Sequence, residues 1–226
     1  MLSVPTLWII FVVNFVAIGI VWAYVVRSYP NLDATRFWMA GALVAALGAA
    51  IAMTRGFIDP QNAELLLVPL LLGGSMLVLA ICVASMGIRR FYGVPVSWRS
   101  TAVMVALNFI SLAYFVWHDN MVARIVIYSV FQSLPIAMTL PLLFSRRNGN
   151  AYPGARLSGY IALLMIAVYA VRSLAAALHI GGPVSLIEFN QIQAVMILSL
   201  VFLSMMWNFG FLLMPIDRLR AEVADL

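Results

Sequence analysis

Seven long apolar runs, separated by short polar connections, constrain this chain more than any other feature of its sequence. Each run is long enough to cross the hydrocarbon core of a bilayer as a helix, which takes about 20 residues. In lipid the backbone has no water to pair with, so each run is predicted to be helical. The predicted fold class is therefore all-α, a polytopic membrane protein with seven transmembrane helices. The runs cover residues 6–26, 37–54, 65–87, 100–117, 121–144, 157–179 and 191–214.

The composition excludes a soluble globular domain. Hydrophobic residues make up 65% of the sequence and charged residues only 9%, against about 25% charged residues in an average soluble domain. The net charge of +5 does not indicate nucleic acid as a partner, because membrane topology accounts for most of the basic residues. The partner that the composition does predict is the lipid bilayer.

The distribution of the basic residues predicts the orientation of the bundle. All basic residues of this chain are arginine, and ten of the 13 fall in segments on one side of the predicted membrane. Only Arg55 falls in a connection on the other side, while Arg124 and Arg172 lie inside spans. Cytoplasmic loops carry the excess of positive residues. We therefore expect the N-terminus to face outward and the C-terminus to face the cytoplasm.

Two arginines inside the spans indicate a binding site. An arginine at the centre of a membrane helix costs about 2.5 to 3.5 kcal/mol on insertion scales, and Arg124 and Arg172 both lie in the predicted outer leaflet. His179 follows Arg172 by seven residues, which would place it on the same helix face. The hypothesis is a periplasm-facing pocket for a small ligand. Its candidate residues are Arg124, Arg172, His179, His118, Gln193, Glu188, Tyr128 and Gln132.

Several alternatives remain open for these side chains. Arg124 can extend toward the interface and pair with Asp119, and amides within spans most often hydrogen-bond to neighbouring helices. A small transporter or channel is the second functional hypothesis, although its path would need polar groups across the full depth of the membrane. A haem held between spans 4 and 6 by His118 and His179 is a further alternative. Otherwise no cofactor and no metal site are predicted.

The sequence offers no catalytic motif, so these 226 residues are not predicted to be an enzyme. A P-loop, an H-E-x-x-H pair and a G-x-S-x-G elbow are all missing from the sequence. Cys82 is the single cysteine and is predicted to be a small buried hydrophobic residue. The sequence contains no lysine, which excludes a retinal Schiff base.

The C-terminal stretch "LLMPIDRLRAEVADL" (residues 212–226) continues the apolar pattern past the last span. Ile216, Leu219, Val223 and Leu226 recur at the a/d spacing of a coiled-coil seam. Pro215 would allow a new helix to begin at the membrane surface. Because one heptad cannot hold a coiled coil together, we expect this helix to continue into an output domain. A short amphipathic tail on the inner leaflet is the alternative.

Two segments resemble the membrane input portion of bacterial GGDEF-type diguanylate cyclases. "GIRRFYGVPVSWRS" (residues 87–100) is similar to the loop after their third span, with Gly87, Arg89 and Phe91 in its G-x-R-x-F pattern. The C-terminal stretch is similar to their connector to the cyclase domain. The D-x-L-T-G-L-x-N-R-R and G-G-D-E-F motifs of that domain are missing from this sequence. The resemblance implies a sensor whose dimeric output domain makes cyclic di-GMP from two GTP molecules. It also implies that the chain lies in the inner membrane of a bacterium, with a periplasmic N-terminus and a cytoplasmic C-terminus.

The sequence thus predicts a sensory domain and a linker that together transmit a signal. Residues 1–214 form a seven-helix sensory domain, and residues 215–226 begin a cytoplasmic signalling linker. A small ligand bound near the outer face would act through span 7 and a homodimeric stalk, formed by Ile216, Leu219, Val223 and Leu226, on a downstream diguanylate cyclase.

Overall fold

The computed structural model describes residues 4–58, 63–145, 152–182 and 191–224. Within these residues it is all-helical, with seven helices that are long and apolar enough to cross a membrane. Each predicted span coincides with one of them to within a few residues, apart from one extension in the last. The helices are α1 (Val4–Ser28), α2 (Asp33–Met53), α3 (Ala63–Phe91), α4 (Trp98–Trp117), α5 (Met121–Leu143), α6 (Pro153–Ala177) and α7 (Gln191–Ala224).

The helix ends explain where the sequence prediction was inaccurate. α6 ends at Ala177, so the predicted helical position of His179 is wrong, and that residue has a left-handed backbone with φ of 54°. α7 runs through Pro215 without a break and continues to Ala224. The predicted new helix at Pro215 is therefore wrong. A proline removes one helical hydrogen bond, and here Met214 and Pro215 are both buried, so packing holds the helix through the defect.

The seven helices form a closed bundle in which each helix packs against the next along the chain. α1 also packs against α7, which closes the ring, and α3 also packs against α5. α4 lies at the periphery, where its packing partners are α3 and α5, and most of its side chains are exposed. Antiparallel neighbours follow from the short connections. The starts of α1, α3, α5 and α7 therefore share one end, which is called the predicted outer end below.

Glycines set the closest helix contacts in the bundle. A Cβ on Gly48 would lie 2.9 Å from the Met76 Cβ, and a Cβ on Gly73 would lie 2.9 Å from the Gly48 carbonyl oxygen. These two glycines let the backbones of α2 and α3 approach each other, as small residues commonly do in membrane bundles. The small-residue stretch "AGALVAALGAA" (residues 40–50) thus packs closely against α3.

An aromatic cluster fills the bundle toward the predicted cytoplasmic end. Trp38 of α2 stacks on Phe211 of α7, with ring centroids 5.0 Å apart and an interplanar angle of 11°. Trp22 lies 5.1 Å from Trp38, and Trp207 lies 4.6 Å from Phe211, both between ring centroids. The Trp38 indole donates to the Ala84 carbonyl at 3.2 Å. The aromatic cluster, defined as Trp22, Trp38, Trp207 and Phe211, ties α1, α2 and α7 together.

Candidate functional site

An elongated cavity of about 170 Å³ lies inside the bundle, between the predicted outer end and the aromatic cluster. Six helices contribute most of its wall, and α4 adds only Leu112. Along α2 the lining residues extend from Ala52 to Trp38, which are 14 positions apart in the sequence, or about 20 Å at 1.5 Å per residue. The cavity is therefore narrow for its length.

Arg124 reaches the cavity from the first turn of α5 and is 5% exposed. Its Nη2 donates to the Asp119 carboxylate at 2.8 Å, and this is the pairing that the sequence suggested. Asp119 itself is 94% exposed at the side chain. Asn120 begins the helix by accepting a hydrogen bond from the Ala123 amide at 2.9 Å, as N-cap residues do. One face of the guanidinium therefore meets an exposed acid, while the rest lies inside the bundle.

Arg172 and Gln193 join α6 to α7 at the same end of the cavity. The Arg172 Nε donates to the Gln193 Oε1 at 3.1 Å, and the Gln193 Nε2 donates to the Arg172 carbonyl oxygen at 3.4 Å. Arg172 is 6% exposed and Gln193 is fully buried. The two candidates from distant parts of the sequence are thus brought together. The amide oxygen is polar but uncharged, so it does not neutralise the arginine.

Arg55 is the site residue that sequence reasoning missed. It follows α2 in a short 3-10 turn, Thr54–Phe57, and lines the cavity together with Arg124 and Arg172. Its Nε donates to the Ala52 carbonyl at 3.1 Å, and its Cζ lies 5.4 Å from the centre of the Trp8 ring, a cation–π distance. Arg55 was the one arginine in a connection on the predicted outer side, and this exception to the positive-inside pattern could have indicated a role in the site.

The cationic end of the cavity, defined as Arg55, Arg124 and Arg172, has little counter-charge among the described side chains. Among the described side chains, Asp119 is the only carboxylate within ion-pair distance of any of the three. Tyr128, Gln132 and Tyr169 also line this region. A solvent-exposed guanidinium hydrogen-bonds to water, whereas a buried guanidinium needs a hydrogen-bond acceptor nearby. The arrangement therefore suits an anion.

Four hydrogen-bond donors on the cavity wall are buried without a partner in the described part of the chain. Polar atoms buried in this way usually have a protein or water partner. Three of these donors lie near the cationic end, and the fourth belongs to the aromatic cluster. They are the Arg124 Nη1, the Tyr128 hydroxyl, the Trp8 Nε1 and the Trp207 Nε1.

The two histidines do not belong to this cavity. Both are exposed, and they line a separate pocket at the predicted outer end of the bundle. The His118 ring lies 4.2 Å from the Tyr114 ring between centroids, and its Nδ1 lies 2.8 Å from the Tyr114 carbonyl oxygen. A haem between spans 4 and 6 needs imidazoles that project between helices, so these residues do not fit that group. No cluster of metal-binding side chains occurs among the described residues.

The remaining candidates lie at the two ends of α7. Glu188 falls outside the described residues, as does Leu226 of the stalk. Ile216, Leu219 and Val223 are 44%, 39% and 70% exposed, so three members of the predicted seam are available for contact. Close by, the Asp217 Oδ2 accepts a hydrogen bond from the Gly154 amide at 2.7 Å. A carboxylate at the first turn of α6 satisfies an amide that the helix itself leaves free.

No protein-family model, no curated protein and no solved structure matches this chain.

Proposed function

We propose that this chain is a membrane-embedded sensory input domain. A small ligand occupies the internal cavity, and α7 carries the resulting change to the predicted cytoplasmic side. The proposed orientation has the N-terminus in the periplasm and the C-terminus in the cytoplasm of a bacterium. The domain itself performs no catalysis in this proposal.

The continuity of α7 is the observation that carries the proposal. The same helix contributes Gln193 at the cationic end, Leu200, Ser204 and Trp207 along the cavity wall, and the exposed seam after Pro215. A helix of 34 residues is about 50 Å long at 1.5 Å per residue, whereas the hydrocarbon core is about 30 Å thick. One rigid element therefore connects the cavity with the surface that would meet a partner.

The proposed relay is a change in how α7 packs on α6. A ligand that competes for Arg172 would weaken the contact of this arginine with Gln193 at one end of α7. At the other end, Asp217 holds the first turn of α6, and Gly154 brings the two backbones together because a Cβ there would lie 2.6 Å from the Leu213 Cβ. Two alternative packings of this pair would differ in ligand affinity, and the ligand would select one of them.

The proposed output is a diguanylate cyclase that acts as a dimer. Two copies would pair along Ile216, Leu219 and Val223, whose spacing of three and four residues is that of a coiled-coil seam. Support for the cyclase comes from the resemblance of residues 87–100 and 212–226 to the input portions of GGDEF proteins. Cyclic di-GMP would then be the signal that reports occupancy of the cavity.

A register experiment tests this relay. A diguanylate cyclase domain is fused after Leu226, and one to seven alanines are inserted at the junction. Each insertion rotates the output by about 100°, and seven residues restore the coiled-coil phase. We expect cellular cyclic di-GMP to fall most at two or five insertions, which turn the output by about 200° and about 140°, and to recover at seven. Equal output from all members of the series would contradict the proposal.

The transporter hypothesis makes a different demand on the same structure. A conducting path must continue through the predicted cytoplasmic half, where Trp22, Trp38 and Phe211 are almost fully buried against each other. We therefore favour a cavity that is closed at this end. Proteoliposomes that take up a small anion at a rate dependent on Arg172 would favour the transporter instead.

A further inference from the structure

We propose that the cavity binds a single-chain amphiphile with an anionic head group, of the fatty-acid type. The head group meets the cationic end, and the apolar chain runs toward the aromatic cluster. This inference rests on the proposed function only in using the same site, and it specifies the chemical class of the ligand.

The charge at the predicted outer end calls for an anion. Arg55, Arg124 and Arg172 all line the cavity, and the single described carboxylate that pairs with any of them belongs to the exposed Asp119. Uncompensated charges inside a membrane protein are costly, and those that persist usually mark substrate or ion sites. A carboxylate placed among the three would add charge-assisted hydrogen bonds to arginines for which the described residues supply only the Asp119 carboxylate.

The unpartnered atoms at this end are all donors. The Arg124 Nη1, the Tyr128 hydroxyl and the Trp8 Nε1 are buried on the cavity wall and bond to nothing in the described residues. Arg124 is itself 95% buried, from its 5% exposure. A carboxylate has about four acceptor sites and no donor when ionised. Its chemistry is therefore complementary to three donors that lack acceptors, which a neutral alcohol or an amine would match less well.

Beyond the cationic end the cavity is mostly apolar, with Ser204, Asn208 and the Trp207 indole as polar groups on its wall. Phe11 and Phe15 of α1, Ala45 of α2, Leu77 of α3 and Leu200 of α7 form its wall. The lining residues extend over about 20 Å along α2, a length that one extended chain can follow past these side chains. Small residues on α2, such as Ala45, create this space because a larger side chain would fill it.

Fluorescence quenching tests the proposal directly, because Trp8, Trp38 and Trp207 line the cavity. The full chain is placed in nanodiscs of phosphatidylcholine and titrated with 12-bromododecanoate, whose bromine quenches tryptophan on contact. We expect saturable quenching that unbrominated dodecanoate reverses, since simple partition into lipid does not saturate. The neutral 12-bromododecanol should bind more weakly by about tenfold or more, the usual worth of a hydrogen bond to a charged group.

Two variants with matched controls separate the head site from the chain site. Arg124→Gln should weaken dodecanoate binding by about tenfold or more, whereas Arg27→Gln, at an exposed position, should leave it unchanged. Ala45→Leu should block the chain, whereas Ala106→Leu on the exposed face of α4 should not. Circular dichroism and size exclusion verify that each variant is folded, and either variant decides the question if the other misfolds.

Three results would overturn the inference. They are quenching that unbrominated dodecanoate does not reverse, equal binding of the acid and the alcohol, and equal affinities of the Arg124 and Arg27 variants. The register experiment needs no ligand, so a failure here leaves the relay standing. Conversely, equal cyclic di-GMP output at every insertion length would contradict the relay but would not affect dodecanoate binding.

Discussion

The two halves of the bundle are built on opposite principles. The predicted outer half encloses three arginines, for which the described residues supply one carboxylate, and buried donors that have no partner among those residues. The predicted cytoplasmic half is filled by the aromatic cluster and by the close approach of α6 and α7 at Gly154. Packed interiors stabilise a fold, whereas unsatisfied polar groups destabilise it and commonly mark function. We therefore expect substitutions in the cytoplasmic half to affect stability and substitutions in the outer half to affect the proposed ligand binding.

The largest loss of stability is expected from a substitution at Trp38. Its ring stacks on Phe211 and its indole donates to Ala84, so Trp38→Ala removes both contacts and leaves a cavity. Large aromatic-to-alanine changes in cores cost about 3 to 5 kcal/mol. We expect a large fall in the melting temperature in detergent or failure to accumulate. Trp98→Ala is the control, since Trp98 is 57% exposed, and equal losses from both variants would break the comparison.

A smaller loss is expected where α6 and α7 touch. A Cβ at Gly210 would overlap the Ser158 hydroxyl and lie 3.2 Å from the Ser158 Cβ, so Gly210→Ala overpacks the contact by about 1 to 3 kcal/mol. At Gly19 the obstacle is the tip of the Leu43 side chain, which can move. Thermal unfolding of the two alanine variants should therefore separate them, and a tolerated Gly210→Ala would show that this contact is loose.

The contact between Asp217 and the Gly154 amide should contribute about 1 kcal/mol, as helix caps do. We expect Asp217→Ala to lower thermal stability slightly and to reduce the coupling between α6 and α7. In the cyclase fusion it should change the basal cyclic di-GMP level. Asp33→Ala breaks an exposed ion pair with Arg90 on the same side, and it should alter neither property. An unchanged basal output in Asp217→Ala would remove this contact from the relay.

The smallest effect on stability is expected in the predicted outer half. Arg124→Met removes a buried charge and leaves Asp119 exposed to solvent. Removing one member of a buried ion pair destabilises a fold when it leaves the other charge buried, but here the remaining Asp119 is solvated, and the desolvation cost of the arginine disappears. We therefore expect the melting temperature to stay constant or rise while dodecanoate binding is lost. A destabilisation comparable to that of Trp38→Ala would show that Arg124 serves the fold.

The helices were predictable because hydropathy alone decides whether a segment of this length can cross lipid. The pair of Arg124 and Asp119 was also predictable, since the two residues lie five positions apart. By contrast, the sequence placed Arg55 in a connection between spans. Its position on the cavity wall depends on the 3-10 turn that follows α2, which the sequence pattern did not predict. His179 looked helical, and the early end of α6 removes it from the site.

The aromatic residues of α7 show a second limit of sequence reasoning. Helices that are apolar on every side carry no periodic signal of which face is inward. Trp207 lines the cavity, whereas Phe202 and Phe209 are 61% and 47% exposed, although all three occur in similarly apolar surroundings. That difference depends on how the helices are rotated against each other, and packing between distant segments determines the rotation.

The narrow apolar cavity has a consequence for dosage. Each additional methylene favours transfer from water into hydrocarbon by about 0.8 kcal/mol, which enriches an amphiphile in the bilayer about fourfold. A ligand of this class therefore reaches the protein mainly from the surrounding lipid. Its effective concentration is its mole fraction in the leaflet, so dose–response curves for chains of different length should coincide when they are plotted against that fraction.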